Sequence, residues 1–355
     1  MLSVRRLLLK SVQAGCLAIF ILFPVLSLAG QANVFIYHRF GESRYPSTNI
    51  DVELFASHMQ HLKESGDLVL PLTEIVKHLK AGRSLPAKSV VITVDDAFDS
   101  FLAEAMPVLR TFRFPVTLFV NTDSVGTQGY LNWDQLRQLV REGVVIGNHT
   151  ATHDYLLERV RNESRVAWKE RVSNDILKAQ AVFDRELGLR PTLFAYPYGE
   201  YSPELAIIVK ELGFTAAIAQ QSGVVSDSSD LFALPRFPMG GPYATLPSFR
   251  SKSAMLPLEL EMLEPLSPIL QAVNPPLMKV RINSNKYDLK RLQGFVQGDN
   301  KLMIDMQALP DGLITVKGEK PLTGRRNKYT LTVPLKDGSG WAWFSQPWFR
   351  LKSHF

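Results

Sequence analysis

Asp95 and Asp96 stand side by side at the end of an uncharged, β-branched run, Val90-Val91-Ile92-Thr93-Val94. Neighbouring side chains at a strand end point in different directions, so one carboxylate can hold a cation while the other handles a proton. The same pair would also serve as an ordinary strand-to-helix turn with Asp96 as a helix cap. Further along, His149 and His153 lie four apart in His-Thr-Ala-Thr-His. In a helical turn, that spacing puts both rings on one face, within reach of one ion. Two imidazoles and a carboxylate suit zinc or another divalent first-row metal, with positions left open for water and substrate. An isolated pair of this kind is more often a surface or core feature. This pair gains weight because it follows a strand, as the aspartates do.

Such residues need elements to position them. A run buried on both faces, like 90–94, belongs inside a parallel sheet, whose carboxyl end is where α/β proteins place their sites. Further apolar strands are predicted at 33–37, 115–120, 144–147, 193–195 and 214–219. Helices are predicted at 52–66, 98–110, 133–142, 157–187 and 203–212, with another between Thr73 as N-cap and Gly82 as stop. This alternation predicts an α/β fold, a distorted (β/α) barrel of parallel strands joined by helical crossovers. His38, Asp95, Asp96, His149, His153 and Tyr198 all follow carboxyl ends of strands, which argues for one site on one face.

After about Arg250 the pattern changes. Pro257, Pro265 and Pro268 interrupt a leucine-rich stretch, and Asn274-Pro275-Pro276 punctuates it. Alternating runs follow at 277–282, 292–297, 301–306, 312–317, 329–333 and 341–344, with turn signals at 298–300, 310–312 and 337–340. They predict a small C-terminal all-β sandwich. The expected division is a leader at 1–29, a catalytic domain at 30–250, a linker at 251–275 and the sandwich at 276–355. Because every motif residue precedes Arg250, a piece ending there should hold a complete site. Trp341 and Trp343 alternate onto one sheet face. That face reads as sandwich core, and a glycan-binding strip that includes Trp348 is the alternative. Trp133 reads as a packing residue.

Composition narrows the class. A chain of 355 residues, 46% apolar and 21% charged, has room for one large globular domain and a smaller one. The net charge of +6 comes from scattered basic residues without interleaved aromatics, so no nucleic-acid partner is expected. A basic surface facing anionic envelope polymers or lipid fits better. The single cysteine, Cys16, lies in the leader, so the rest of the chain has neither disulfides nor thiolate chemistry. Arg5, Arg6 and Lys10 precede an apolar run at 14–28, with Ser27 and Ala29 at plausible cleavage positions. This is the pattern of a secretory signal, with an uncleaved membrane anchor as the alternative. Either reading places the remaining chain outside the cytoplasm, periplasmic or secreted, with membrane association only through the N-terminal segment.

Three motifs in order carry a resemblance: strand-Thr-Val-Asp95-Asp96, then strand-Asn-His149-Thr-Ala-Thr-His153, then Tyr196-Pro-Tyr198-Gly. Together they resemble the polysaccharide deacetylase family of carbohydrate esterases over roughly residues 33–240. The resemblance implies that Asp95 is the general base and that Asp96, His149 and His153 hold a divalent metal. Zinc is expected first, with cobalt, nickel or iron as alternatives. It also implies that the backbone N–H of Tyr198 helps bind an oxyanion. Each role has a physical reason. A divalent ion lowers the pKa of water to supply a nucleophile near neutral pH, and a positioned carboxylate removes its proton. A fixed N–H shares the charge of the tetrahedral oxyanion. The leaving amine then needs an acid.

This chain departs from the family pattern in two places. Many members have an arginine where Ala195 stands, and many supply the acid from a late Leu-x-His, which is absent; the only histidine after His153 is His354. The arrangement is more similar to the subgroup that de-N-acetylates poly-N-acetylglucosamine in bacterial envelopes. There an early Tyr-His contributes the acid, which implies that role for His38 after Tyr37. A buried histidine bonded to backbone is the alternative. Arg236, in Leu-Pro-Arg-Phe-Pro, is a candidate for the missing arginine or else a plain salt-bridge residue. The implied function is removal of acetyl groups from an N-acetylated envelope polysaccharide. Peptidoglycan, chitin-like or acetylxylan substrates remain alternatives, as does a weakly catalytic glycan-binding scaffold. A dead site has no need of Asp95, Asp96, His149 and His153 together, which counts against the scaffold.

Overall fold

Every residue of the strand Ser89–Asp95 is buried, as an uncharged β-branched run requires. It pairs in parallel with Gln31–Tyr37 on one side and Thr117–Val120 on the other. From there the sheet continues in parallel through Val145–Asn148, Leu193–Ala195 and Ala216–Ile218. The short strand Val225–Ser226 runs antiparallel to the start of Gln31–Tyr37. One segment joins the two ends of this path. Leu234 bridges in parallel to Ile218, and Phe237–Pro238 pairs in parallel with Phe35 and Ile36. The sheet thus curls into the expected (β/α) barrel, and Arg236 sits in its seam.

The computed structural model describes residues 30–352 apart from 297, 299 and 307–311. The predicted leader with Cys16, the turn residues Pro310 and Asp311, and His354 lie outside the described residues. No helix among the described residues is long and apolar enough to cross a membrane.

The crossover helices lie close to their predicted places, with differences that caps explain. Helix Val52–Ser65 buries Phe55, Met59 and Leu62 against the sheet. Helix Leu72–Lys80 starts one residue before Thr73, because Pro71 occupies the N-cap with its fixed extended backbone. The helix expected over 157–187 begins only at Arg165. The Ser164 side chain accepts the N–H of Ala167 and so defines the start, leaving 157–164 as loop. Helix Trp133–Arg141 opens with a full capping box between Asn132 and Gln135.

The C-terminal part is two four-stranded sheets packed face to face. One is ordered Leu256–Pro257, Trp341–Phe349, Arg326–Pro334, Gln293–Val296. The other is ordered Leu260–Glu264, Leu277–Ile282, Leu313–Gly318, Leu302–Asp305. Their shared core includes Val280, Ile314, Val316, Tyr329, Leu331, Val333, Ala342 and Trp348. The stretch 251–275, expected as a linker, contributes a strand to each sheet. Pro257 is tolerated because its strand lies at a sheet edge, where no ladder donor is needed.

Trp341 and Trp343 do share a face, but that face is not the sandwich core. Along this strand, even-numbered Ala342 and Trp348 point into the sandwich, while Trp343 and Phe349 point at the barrel. Trp343 meets Phe237 edge-on at 5.5 Å, and its Nε1 donates to Ser222 O at 3.2 Å. Phe349 is buried beside Phe194 and Tyr196 of the barrel. Arg325 grips Glu200 with two hydrogen bonds of 2.7 Å and also pairs with Glu158.

Candidate active site

Three strand ends deliver the site. The strand Ser89–Asp95 ends at Asp95, which is 3% exposed, and the chain turns sharply so that Asp96 and Ala97 both adopt left-handed backbone, φ 74° and 58°. Neither residue is glycine, so the turn is strained, as backbone often is where function fixes it. The strand Val145–Asn148 delivers His149. The expected helical turn does not form there: Thr150 and His153 are left-handed, φ 68° and 62°, and the loop folds His153 back onto His149. Side chains hold this loop in place of a helical ladder. Asn148 Oδ1 accepts from Thr150 N–H at 2.7 Å, Thr150 Oγ1 from His153 N–H at 2.9 Å, and Asp175 Oδ1 from Thr152 N–H at 3.1 Å. The strand Leu193–Ala195 leads to Tyr198, again left-handed at φ 59°.

These turns bring Asp96, His149 and His153 together. His149 Nε2 and His153 Nε2 are 3.1 Å apart, and Asp96 Oδ1 lies 3.4 and 3.3 Å from them. Donors bound about 2.1 Å from one tetrahedral ion stand roughly 3.4 Å apart, so this triangle fits a zinc-sized cation. His149 Nδ1 donates to Ala195 O at 2.8 Å, which fixes the tautomer and aims the Nε2 lone pair inward. Burial opposes charge on His149, but the Asp96 hydrogen bond and the two carboxylates outweigh it and raise its pKa. That same pull acts on any cation between them. Burial, and then the neighbouring His149, push His153 down to about 4, which leaves the neutral imidazole that metals prefer.

Asp95 is held apart from this triangle, its Oδ2 3.9 Å from His149 Nε2. Arg236, fully buried, donates from Nη1 to Oδ1 and from Nη2 to Oδ2 at 2.7 Å each. The guanidinium is itself pinned by Nε to Ala219 O at 2.8 Å and by Nη1 to Thr93 Oγ1 at 3.2 Å. Burial would raise the Asp95 pKa, but the Arg236 charge, with His149 behind it, holds it below the ordinary value. Asp95 is therefore an ionised carboxylate held in fixed orientation by Arg236.

His38 and Tyr198 open onto the same cleft, which has a volume of about 570 Å³. His38 is half-buried in the cleft wall and feels the charges of Asp96, Asp95, Arg236 and His149. Burial lowers its pKa, against the pull of Asp96 and Asp95. The N–H of Tyr198 takes no part in its own turn, whose bonds run from Gly199 N–H to Tyr196 O and from Glu200 N–H to Pro197 O. The Tyr198 ring stacks on Tyr155 at 4.0 Å and meets His153 edge-on at 4.6 Å. The sequence reading missed Tyr155, Asp175 and the residues of the β domain that reach the cleft. Nothing in their local sequence marks them, since they act only by where the fold places them.

Fold and site together give an α/β barrel with three donors that could hold a cation beside a buried carboxylate. Residues 82–217 match the polysaccharide deacetylase family model. It is 25% identical over 210 residues to a poly-beta-1,6-N-acetyl-D-glucosamine N-deacetylase of Escherichia coli, covering 49% of this chain and 31% of that protein. This chain thus spans about a third of that relative's length. A Staphylococcus aureus enzyme of the same name is 25% identical over 211 residues, 58% of this chain and 72% of that one. The fold is that of the Streptococcus pyogenes deacetylase solved in complex with acetate, with a TM-score of 0.56 and 21% identity over 63% of this chain and 99% of that one.

Proposed function

We propose that this protein is a metal-dependent hydrolase that removes acetyl groups from an N-acetylated, poly-N-acetylglucosamine-like polysaccharide of the cell envelope. The observation that carries the reading is the triangle of Asp96, His149 and His153 beside an Asp95 locked by Arg236. The bound ion, zinc first among the candidates, would activate water and polarise the acetamide carbonyl. Asp95 takes the proton from the attacking water, and its fixed ionisation suits it to that task. The Tyr198 N–H receives the oxyanion. His38 gives a proton to the leaving amine; because burial lowers its pKa, it must gain that proton within the cycle, and the proton Asp95 takes from the water supplies it. The predicted leader supports action outside the cytoplasm, in the periplasm or secreted, with any membrane association through that segment. No nucleic-acid partner is implied.

The test is metal analysis of the purified protein, followed by acetate release with and without chelator. Poly-N-acetylglucosamine, chitin oligomers, peptidoglycan and acetylxylan form the panel. Asp96→Ala, His149→Ala and His153→Ala should each lose bound metal and activity while remaining folded. Full metal occupancy in the His149→Ala protein rejects the ligand assignment.

A further inference from the structure

The cleft is not built by the barrel alone. The strand Arg326–Pro334 of the C-terminal sandwich runs along its edge, and Arg326, Lys328 and Pro347 stand in its wall with His38, Asp95 and Tyr198. Alternation explains which residues face it. Tyr329, Leu331 and Val333 fill the sandwich core, so the even-numbered side chains point at the barrel. Arg326 and Lys328, two apart, therefore project toward the site from the same face.

Their electrostatic state is unlike that of their neighbour. Arg325 is bound by the carboxylates of Glu200 and Glu158. Arg326 and Lys328 form no ion pair with any described residue. The Arg326 guanidinium lies 5.2 Å from the centre of the Tyr198 ring, beside the turn that offers the free N–H. Lys328 Nζ is bonded to Ser222 Oγ at 2.8 Å, a neutral partner that leaves its charge uncompensated. A second lysine, Lys252, lies behind the cleft wall rather than in it, 8% exposed, with the carbonyl of the wall residue Tyr243 at 3.4 Å from its Nζ. Burial pushes both lysines down to about 8, and Lys328 adds its repulsion to Lys252. Within the site, Asp95 is already neutralised by Arg236, and Asp96 belongs to the cation triangle. The cleft is thus left with cationic groups that no protein carboxylate answers. Arg326 is exposed at the rim and Lys328 half-buried behind it; at Lys328 the unpaired charge is partly desolvated, which is unfavourable and which an anionic ligand relieves.

We infer that Arg326 and Lys328 form a subsite for an anionic substituent, carboxylate or phosphate, on the glycan that enters the cleft. The polymer is then an N-acetylated chain bearing acidic groups near the sugar being deacetylated. Arginine suits the outer position because its planar fork binds such oxyanions in bidentate fashion. Lysine deeper in the wall supplies a point charge. This inference rests on the deacetylase reading above and adds the substrate's charge to it.

The experiment uses the full metal-loaded chain, with Arg326→Gln, Lys328→Gln and the double charge reversal R326E/K328E. Metal content and circular dichroism of each variant report folding. The value of kcat/KM is measured at low and high salt on neutral N-acetylglucosamine oligomers, on peptide-free glycan strands bearing lactyl carboxylates, and on a phosphate-bearing N-acetylhexosamine oligomer. The wild type should prefer at least one acidic arm, and the preference should shrink as salt rises. The charge reversal should lower the acidic-to-neutral ratio by roughly ten- to hundred-fold, mostly through KM. The arm that responds identifies the anion. Calorimetric binding of the same oligomers supplies a readout independent of turnover. Equal ratios in wild type and all variants, with equal binding, overturn the subsite. Activity on neutral oligomers with no acidic preference overturns the subsite and leaves the deacetylase reading intact. Salt-dependent binding of acidic glycan without acetate release from any substrate overturns the deacetylase reading instead.

Discussion

Arg236 and Asp95 meet through two parallel hydrogen bonds of 2.7 Å, and the arginine is fully shielded from solvent. They are 141 residues apart in sequence, joined because the segment carrying Arg236 closes the barrel against Gln31–Tyr37. Removing one partner leaves the other charged and buried. Arg236→Met should cost about 3–5 kcal/mol of stability. It should also shift the acidic limb of the activity profile to higher pH. The sign follows from Arg236 holding the Asp95 pKa down; without it the carboxylate protonates earlier as pH falls. Denaturant unfolding and a pH–rate profile check both, and an unmoved acidic limb rejects the positioning role.

Asp95→Asn removes the proton acceptor while keeping the shape and leaving Asp96, His149 and His153 in place. Metal content should stay near that of the wild type, and turnover should fall by roughly two to four orders of magnitude. Near-normal activity across pH would make Asp95 a structural residue.

His38→Gln tests the acid. An amine leaves only with a proton, whereas an activated ester's alkoxide or phenolate leaves without much help. Metal should remain bound, and deacetylation of the amide should collapse while hydrolysis of 4-nitrophenyl acetate is hurt far less. Equal loss on both substrates, or loss of metal, rejects the role.

A chain ended after Arg250 retains every motif residue, and the sequence alone suggests that it should work. The structure predicts the opposite. Glu200, 1% exposed, would lose Arg325, and Phe237 would lose Trp343. An unpaired buried carboxylate alone costs about 3–5 kcal/mol. The truncated protein should be aggregated or poor in metal. A soluble, metal-loaded piece with full kcat/KM would show that the β domain takes no part in the site.

His58 supplies a pH dependence away from the site. It stacks on Phe249 at 4.0 Å, its Nδ1 lies 3.1 Å from the Tyr37 hydroxyl, and burial pushes its pKa from 6.5 down to about 4. Between those values the unfolded chain binds a proton that the folded chain refuses. Stability is therefore full above pH 6.5 and falls as pH drops toward 4, by on the order of 3 kcal/mol. His58→Gln, which keeps a partner for Tyr37, should flatten that slope in denaturant titrations at pH 7.5, 6 and 5. An unchanged slope would assign the acid sensitivity to other groups.

The sequence by itself determined the parts that depend on local pattern. An uncharged run such as Val90 to Val94 has to be a buried parallel strand, and such strands place Asp95, His149 and Tyr198 at one end of one sheet. Chemistry was legible there because the residue types and their spacing lie within single turns. The conformation of those turns was not: His149 and His153 converge through left-handed residues that a helical spacing rule does not foresee. Tertiary structure alone decided the rest. Arg236 reaches Asp95 because the barrel closes at its segment. Trp343 faces the barrel because the alternation of its strand is read against a second domain. Arg326 and Lys328 enter the cleft because Arg325, beside them, is anchored to Glu200 and Glu158. Each is a contact between residues more than a hundred positions apart, and no local preference of the chain encodes which distant partner a side chain will meet.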